Sequence, residues 1–244
     1  MASKICTREL TAADAERVKE LWAVAMLSYD KPYIASFVAA KLEADMADIF
    51  GAYRSAALAG GSGTNFFVAV EDGGAGAVVG CAGALYRGAG EMGEALPPGK
   101  DYLQTLTNPR TGRALNGGSA DPRRPLWGFA LGGGGGGVGE SGSAESGSAI
   151  ELVRMAVAET HRGRGIAKQL VRAVAEHAAS LPPPLGPCGR VVLTTSAEME
   201  QAVAAYERMG FARDRDDEEG REGATVVAFA QRPCELLRRL GSDR

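Results

Sequence analysis

One stretch indicates the fold of this chain, namely Thr160-His161-Arg162-Gly163-Arg164-Gly165-Ile166-Ala167-Lys168-Gln169-Leu170. It follows an apolar run, Leu152 to Val157, and it opens into a segment whose apolar residues recur at helical spacing. The sequence therefore predicts a strand, a short Gly/Arg turn and a helix in direct succession. Free N–H groups and the positive end of the dipole make such a helix N-terminus a site for phosphate.

The rest of the chain alternates predicted strands and helices in the order β-α-α-β-β-β-α-β-α-β-β, a mixed α/β domain. Thr11 is the predicted cap of the first helix, with Asp14 in its first turn. Thr195 or Ser196 is the predicted cap of the last helix, with Glu198 completing a capping box, and Gly210 ends it. The strands are expected at 5–10, 65–70, 77–85, 150–157, 190–195, 211–214 and 224–232.

A long segment at about 87–149 interrupts this alternation. It is rich in Gly, Ser and Pro and contains the unbroken run Gly132 to Gly137. Backbone ordering would cost about 1–2 kcal/mol per residue with no apolar face to offset it. We therefore expect a flexible surface insertion in a single domain spanning 1–244.

Composition narrows the class of protein. The 244 residues carry a formal net charge of −3 and 45% hydrophobic residues, which favours a globular protein without a basic field for nucleic acid or membrane surfaces. The four cysteines are scattered without metal-ligand spacing, which indicates a reduced compartment. No signal peptide or membrane span is evident. We expect a cytoplasmic protein that binds neither nucleic acid, membrane nor metal.

Two motifs resemble those of a known family. In the first motif, Val157 is followed after four residues by Arg162-x-x-Gly165-x-Ala167. This spacing is similar to the acetyl-CoA pyrophosphate loop of the GCN5-related N-acetyltransferase (GNAT) superfamily. Ala202-x-x-x-Tyr206-Glu207-Arg208-Met209-Gly210-Phe211 resembles the ending of the family's C-terminal helix. Within the superfamily, the segment 152–171 looks most like the camello-like branch, without its membrane hairpin. Met199 stands where many members carry Asn.

The resemblance implies a fold and a ligand. The fold is a mixed central sheet with a splayed parallel strand pair, flanked by helices. Acetyl-CoA is the implied co-substrate, with no metal. Its pyrophosphate would lie against N–H groups of the turn and helix start, and its pantetheine arm would pair with the preceding strand edge. The implied binding residues are Met155, Ala156, Val157, Arg162, Gly163, Arg164, Gly165, Ile166 and Ala167.

The resemblance also suggests roles in acetyl transfer. The N–H of Val157 is the expected donor to the thioester carbonyl oxygen, and Tyr206 is the expected general acid for the leaving thiolate, with an unperturbed pKa near 10. Glu151 is the candidate base. Two of these roles have structural alternatives. Tyr206 is alternatively a core aromatic residue, and Glu151 is alternatively a solvated carboxylate, neither with a part in catalysis.

Other chemistry-bearing residues are interpreted structurally. We expect His161 to be solvated beside the loop, with contact to phosphate as the alternative, and His177 to lie on a helix surface. Cys81 is expected to be a small core residue. The acidic segment 216–219 is expected to be a solvated turn, with attraction of a cationic amine as the alternative role.

The expected function is transfer of an acetyl group from acetyl-CoA to a primary amine in a direct ternary complex. A small-molecule amine or amino-acid conjugate is the first candidate acceptor, and a protein N-terminus or lysine is the second. A non-catalytic acyl-CoA-binding module is the alternative from another class. The sequence leaves monomer and homodimer equally open.

Overall fold

A computed structural model describes residues 4–31, 34–55, 63–71, 76–87, 149–182, 189–213, 218–219 and 225–241. Apart from its two end residues, the predicted insertion at 87–149 lies outside the described residues.

Eight strands and five α-helices make up the described fold. The strands are β1 (Ile5–Glu9), β2 (Asn65–Glu71), β3 (Val78–Arg87), β4 (Ala149–Val157), β5 (Arg190–Ser196), β6 (Ala212–Arg213), β7 (Glu218–Glu219) and β8 (Thr225–Gln231). The helices are α1 (Ala15–Leu27), α2 (Ile34–Glu43), α3 (Ile166–Ser180), α4 (Glu200–Met209) and α5 (Pro233–Gly241). A π-helical segment covers Phe50–Ser55, and short 3-10 turns cover Ala12–Asp14 and Glu159–His161.

The strands form one mixed sheet in the order β1-β2-β3-β4-β5-β8-β6, with β7 also paired to β8. All neighbouring pairs are antiparallel except β4 and β5, which are parallel. Helix α3 connects these two strands, as a parallel pair requires. The predicted α/β class with a mixed sheet flanked by helices is confirmed.

The sheet separates two hydrophobic cores. On the face that we call the α3 face, α3, α4 and α5 pack against the sheet, and the buried side chains include Leu170, Val174, Tyr206, Phe229 and Leu236. On the α1 face, α1, α2 and the π-helical segment cover the sheet, and the buried side chains include Val18, Trp22, Val38, Tyr53 and Phe66. The alternating side chains of β2, β3 and β4 supply both cores.

The first helix begins where the sequence predicts. The Thr11 N–H donates to Asp14 Oδ2 at 2.8 Å, and Arg8 donates to both carboxylate oxygens of Asp14, at 2.7 and 2.9 Å. The Asp14 carboxylate therefore supplies the acceptor for a backbone N–H group at the start of the 3-10 turn that leads into α1. Although burial raises the pKa of Asp14, the hydrogen bonds from Arg8 and Thr11 outweigh it and lower that pKa to about 2.

Three predictions about the C-terminal half need correction. Thr195 and Ser196 do not cap α4, because both still pair with β8 in the sheet, and the helix starts only after Met199. Within the expected acidic turn, Glu218–Glu219 pairs with β8 as β7. Helix α5 is absent from the prediction, although its Leu236 and Leu240 are buried at helical spacing.

Among the described residues, no helix is long and apolar enough to cross a membrane.

Candidate active site

A wedge-shaped gap opens in the sheet between β4 and β5. The two strands pair over three residues only, with Ala149 opposite Arg190, Ile150 opposite Val191 and Glu151 opposite Val192. Beyond this point β4 stays paired with β3 as far as Val157, and β5 stays paired with β8 as far as Ser196. The inner edges of β4 and β5 therefore carry backbone groups that no longer bond each other, and the predicted splayed pair is confirmed.

A β-bulge in β4 lies beside this gap. Val153 is opposite Gly83 and Ala156 is opposite Cys81, so Arg154 and Met155 together face one residue of β3. Arg154 has a positive φ of 52°, a conformation uncommon for a residue with a side chain. The bulge shifts the alternation of side chains by one position.

The shifted alternation decides which N–H groups face the gap. The Ala158 N–H donates to Val79 O of the β3 side at 2.9 Å. Because successive N–H groups of a strand point to opposite edges, the N–H of Val157 points away from β3 and toward the gap. The N–H of Met155, two residues earlier, points the same way.

The Gly/Arg turn lies at the wide end of the gap, where β4 ends and α3 begins. Gly163 and Gly165 have φ values of 78° and 74°, the left-handed region that glycine enters at little cost. A Cβ built at either glycine would meet no atom within 4 Å. The first helical hydrogen bond of α3 runs from Gln169 N–H to Gly165 O, 3.1 Å, so the N–H groups of the preceding residues have no acceptor within the helix.

Charged side chains surround this turn unevenly. Arg162 is exposed. Arg164 donates to Glu71 Oε1 at the end of β2, 3.3 Å away, and His161 Nε2 lies 3.0 Å from the same oxygen. The expectation that His161 is solvated is therefore wrong, because a carboxylate anchors its ring. The glutamate was not anticipated, since it lies in a strand far from the turn in sequence.

Tyr206 lies on α4 with its ring in the core of the α3 face. Its ring packs edge-to-face on Phe211 and tilted against Phe229, both at 5.9 Å between centroids. Burial raises the pKa of its hydroxyl well above 10, with a smaller contribution from Tyr29. The unperturbed value expected from the sequence is therefore wrong, and the hydroxyl stays protonated throughout the neutral range.

Tyr29 brings the end of α1 toward α4. After burial, the charge interaction with Tyr29 is the second cause that raises the pKa of Tyr206. A few residues on, Lys31 Nζ lies 3.5 Å from Glu198 Oε2 in the segment before α4. The α1–α2 connection and the β5–α4 connection therefore meet, and neither Tyr29 nor this ion pair carries a recognisable sequence motif.

Glu151 belongs to a polar cluster on the α1 face. Its neighbours Ile150 and Leu152 point into the α3-face core, so its own side chain faces α1. Its charge contributes, after burial and the Asp45 carboxylate, to raising the pKa of Tyr53. Tyr53 in turn donates to Asp45 Oδ2 at 2.6 Å. Glu151 and the packed ring of Tyr206 therefore lie on opposite faces, and no described core cluster holds both.

Three further sequence interpretations have clear outcomes. His177 is partly exposed on α3, but its Nε2 lies 2.7 Å from Gly63 O and its ring packs on Phe67 at 5.9 Å between centroids. Cys81 is a fully buried core residue, as expected, and burial raises the pKa of its thiol to about 12. Met199 is buried, and its sulfur lies 3.4 Å from Thr195 Oγ1.

No group of three or more His, Cys, Asp or Glu side chains within the described ranges has the arrangement of a metal site.

Comparisons with known proteins agree with this geometry. The model of the Acetyltransferase (GNAT) family matches residues 123–211, which include β4, α3, β5 and α4. A comparison with curated proteins gives no match.

Solved structures match this chain over most of its length. A GNAT-family acetyltransferase from Staphylococcus aureus Mu50 has a TM-score of 0.52 at 13% identity, covering 94% of this chain and 99% of that chain. Spermidine N-acetyltransferase from Vibrio cholerae, solved with CoA and spermine, has a TM-score of 0.50 at 14% identity, covering 96% and 98%. Arabidopsis thaliana NAA60, solved with acetyl-CoA, has a TM-score of 0.50 at 18% identity, covering 94% and 98%. At these identities the likeness to the solved structures concerns the fold, and the family-model match concerns residues 123–211.

Proposed function

We propose that this protein is an acetyl-CoA-dependent N-acetyltransferase that acts on a primary amine through a direct ternary complex. One observation carries the proposal: a parallel strand pair separates after three paired residues, and the gap ends at a glycine-lined helix N-terminus. An extended thiol-bearing arm with a phosphate at one end matches both parts of this site.

The residues present fit the donor. Open space where Cβ atoms of Gly163 and Gly165 would stand lets a pyrophosphate approach the backbone closely. The unbonded N–H groups at the start of α3 supply donors, with Ile166 and Ala167 among them. Arg162 and Arg164 supply positive charge. The gap-facing N–H of Met155 supports pairing of the pantetheine arm with β4, in the manner of an added strand.

The proposed chemistry uses three residues of the chain. When bound, acetyl-CoA supplies an activated acyl group as a thioester. The N–H of Val157 points into the gap and would donate to the thioester carbonyl oxygen. Tyr206, whose hydroxyl stays protonated because burial raises its pKa, would donate to the sulfur. Glu151, whose side chain faces α1, would accept a proton from the amine directly or through water.

The acceptor is the finer part of the proposal. A small-molecule amine or amino-acid conjugate is our first candidate, and a protein N-terminus or lysine is the second. Among the structural neighbours, spermidine N-acetyltransferase is named for a small-molecule amine, which supports the first candidate. The camello-like branch remains an expectation from the segment 152–171.

A thiol-release assay tests the proposal. Purified protein is incubated with acetyl-CoA and matched panels of small amines and short peptides, while titration calorimetry measures acetyl-CoA affinity. We expect micromolar-range binding and release that depends on the acceptor, with about 1–10³ turnovers per second for the best substrate. If thiol is released with peptides and not with small amines, the second candidate acceptor, a protein amine, takes the place of the first. Binding without release for any acceptor would favour a non-catalytic acyl-CoA-binding module.

A further inference from the structure

Arg154 occupies an unfavourable backbone conformation at the bulge of β4. Its φ of 52° lies in the left-handed region, where a side chain costs of order 1–3 kcal/mol unless the surroundings hold it. Glycine adopts this conformation freely, yet the position carries an arginine whose side chain is only 13% exposed. The side chain must therefore contribute enough to offset the strain.

Contacts from three elements hold this side chain. Asp45, in the turn after α2, accepts from Arg154 Nε at 3.0 Å and from Nη2 at 2.7 Å, a bidentate pair. The hydroxyl of Tyr53 in the π-helical segment donates to the same carboxylate at 2.6 Å. The guanidinium lies over the ring of Trp22 of α1, 5.4 Å from its centroid. Three elements of the α1-face layer therefore contact the bulge through one side chain.

The bulge determines which backbone groups β4 presents to the gap. Leu152 before the bulge and Met155 and Val157 after it all pack toward the α3 face, although strict alternation would place them on opposite faces. Because side-chain direction and N–H direction are coupled in a strand, an unbulged β4 would turn the N–H of Ala156 toward the gap instead of the N–H of Val157.

We propose that Arg154, held by Asp45, is a positioning residue that fixes the bulge and so aims the N–H groups of Met155 and Val157 into the gap. This inference rests on the proposed function, because it concerns the donors that would meet the thioester and the pantetheine arm.

Two double variants separate backbone positioning from other roles. D45N/R154G and D45N/R154V both remove the ion pair, and both avoid leaving a buried carboxylate without a cation. They differ in backbone preference, since glycine accepts a positive φ and β-branched valine does not. We expect D45N/R154G to keep acetyl-CoA affinity and kcat close to those of the unaltered chain. We expect D45N/R154V to lose about 10²-fold in kcat, the effect of misplacing a reacting group by ~1 Å, and to bind acetyl-CoA more weakly.

A distant ion pair provides the control. Arg8 and Asp14 form a similar bidentate pair beside α1, and Asp14→Asn should lower the melting temperature while leaving acetyl-CoA affinity and kcat unchanged. Equal behaviour of the glycine and valine variants, whether both active or both impaired, would overturn the positioning role. If the unaltered chain binds acetyl-CoA without turnover, the proposed activity fails alone, and the affinities of the two variants still decide this inference. If the unaltered chain does not bind acetyl-CoA, both proposals fail.

Discussion

Tyr206 illustrates how burial changes the chemistry that a residue type suggests. Its ring is fixed between Phe211 and Phe229, and its side chain is buried in the core of the α3 face. Because burial raises its pKa, the hydroxyl retains its proton but is a weaker acid than free tyrosine. A role as hydrogen-bond donor to the leaving sulfur suits these properties.

Replacing Tyr206 with Phe tests this role. The ring packing is retained, so we expect acetyl-CoA affinity and melting temperature to change little, while kcat falls about 10²-fold, the lower range for loss of a general acid. Because the raised pKa keeps the hydroxyl protonated below pH 10, the ratio of the two kcat values should stay constant from pH 7 to pH 9. Thiol release at several pH values measures it.

A matched substitution guards against a general effect of removing a hydroxyl. Tyr86 is a partly buried tyrosine on β3 that packs on the same core, and Tyr86→Phe should leave kcat unchanged. Equal rates for Tyr206→Phe and the unaltered chain would remove Tyr206 from the mechanism.

At the scale of elements, local signals were predictable and distant pairings were not. The Gly/Arg turn and the start of α3 depend on neighbouring residues, and the positive φ of Gly163 and Gly165 follows from glycine itself. The predicted start of α4 was wrong because pairing with β8 keeps Thr195 and Ser196 in a strand. Asp45 and Arg154 are 109 positions apart, so only the folded chain shows that they meet.

The arginines of the Gly/Arg turn give a prediction at this scale. The double variant R162A/R164A should bind acetyl-CoA at least about tenfold more weakly, since a hydrogen bond to a charged group contributes about 1.5–3 kcal/mol. The defect should shrink as salt concentration rises, because salt screens exposed charges. Titration calorimetry at two ionic strengths measures both effects.

Arg172 supplies the control for charge alone. It lies on the exposed side of α3 and pairs with Glu176 at 2.8 Å, so Arg172→Ala removes a positive charge from the same helix without touching its N-terminus. Undiminished affinity in R162A/R164A, or an equal loss in Arg172→Ala, would contradict the assignment of the pyrophosphate to this turn.

For the whole molecule, the order of helices and strands was predictable, but the side-chain contacts that join the layers were not. Strand and helix periodicities predicted the alternation of elements, and the resemblance to a known family implied the mixed sheet and its parallel pair. The bonds that join the layers come from single side chains, such as Arg54, which donates to Asn65 Oδ1 at 2.7 Å and pairs with Glu9 Oε2 at 2.7 Å. Such contacts follow from the fold and have no local sequence signal.

The junction of β3 and β4 permits a test of how independent the domain is of residues 88–148. Arg87 lies directly opposite Ala149 in the antiparallel ladder, which is the geometry that a two-residue turn closes. Replacing 88–148 with Asn-Gly should preserve the fold. The free energy of unfolding should rise, because each halving of loop length lowers the closure cost by about 0.6 kcal/mol.

Acetyl-CoA affinity should survive this deletion for a geometric reason. The proposed donor site begins near Val157 at the opposite end of β4, roughly 25 Å from the junction at ~3.3 Å per residue. A second variant, in which a Gly/Ser segment of equal length replaces 88–148, separates the effect of length from that of sequence. If both variants fold and bind acetyl-CoA as the unaltered chain does, the donor half of the site is complete without the segment. A folded deletion variant that no longer binds acetyl-CoA would contradict this prediction and would place residues 88–148 in the donor site.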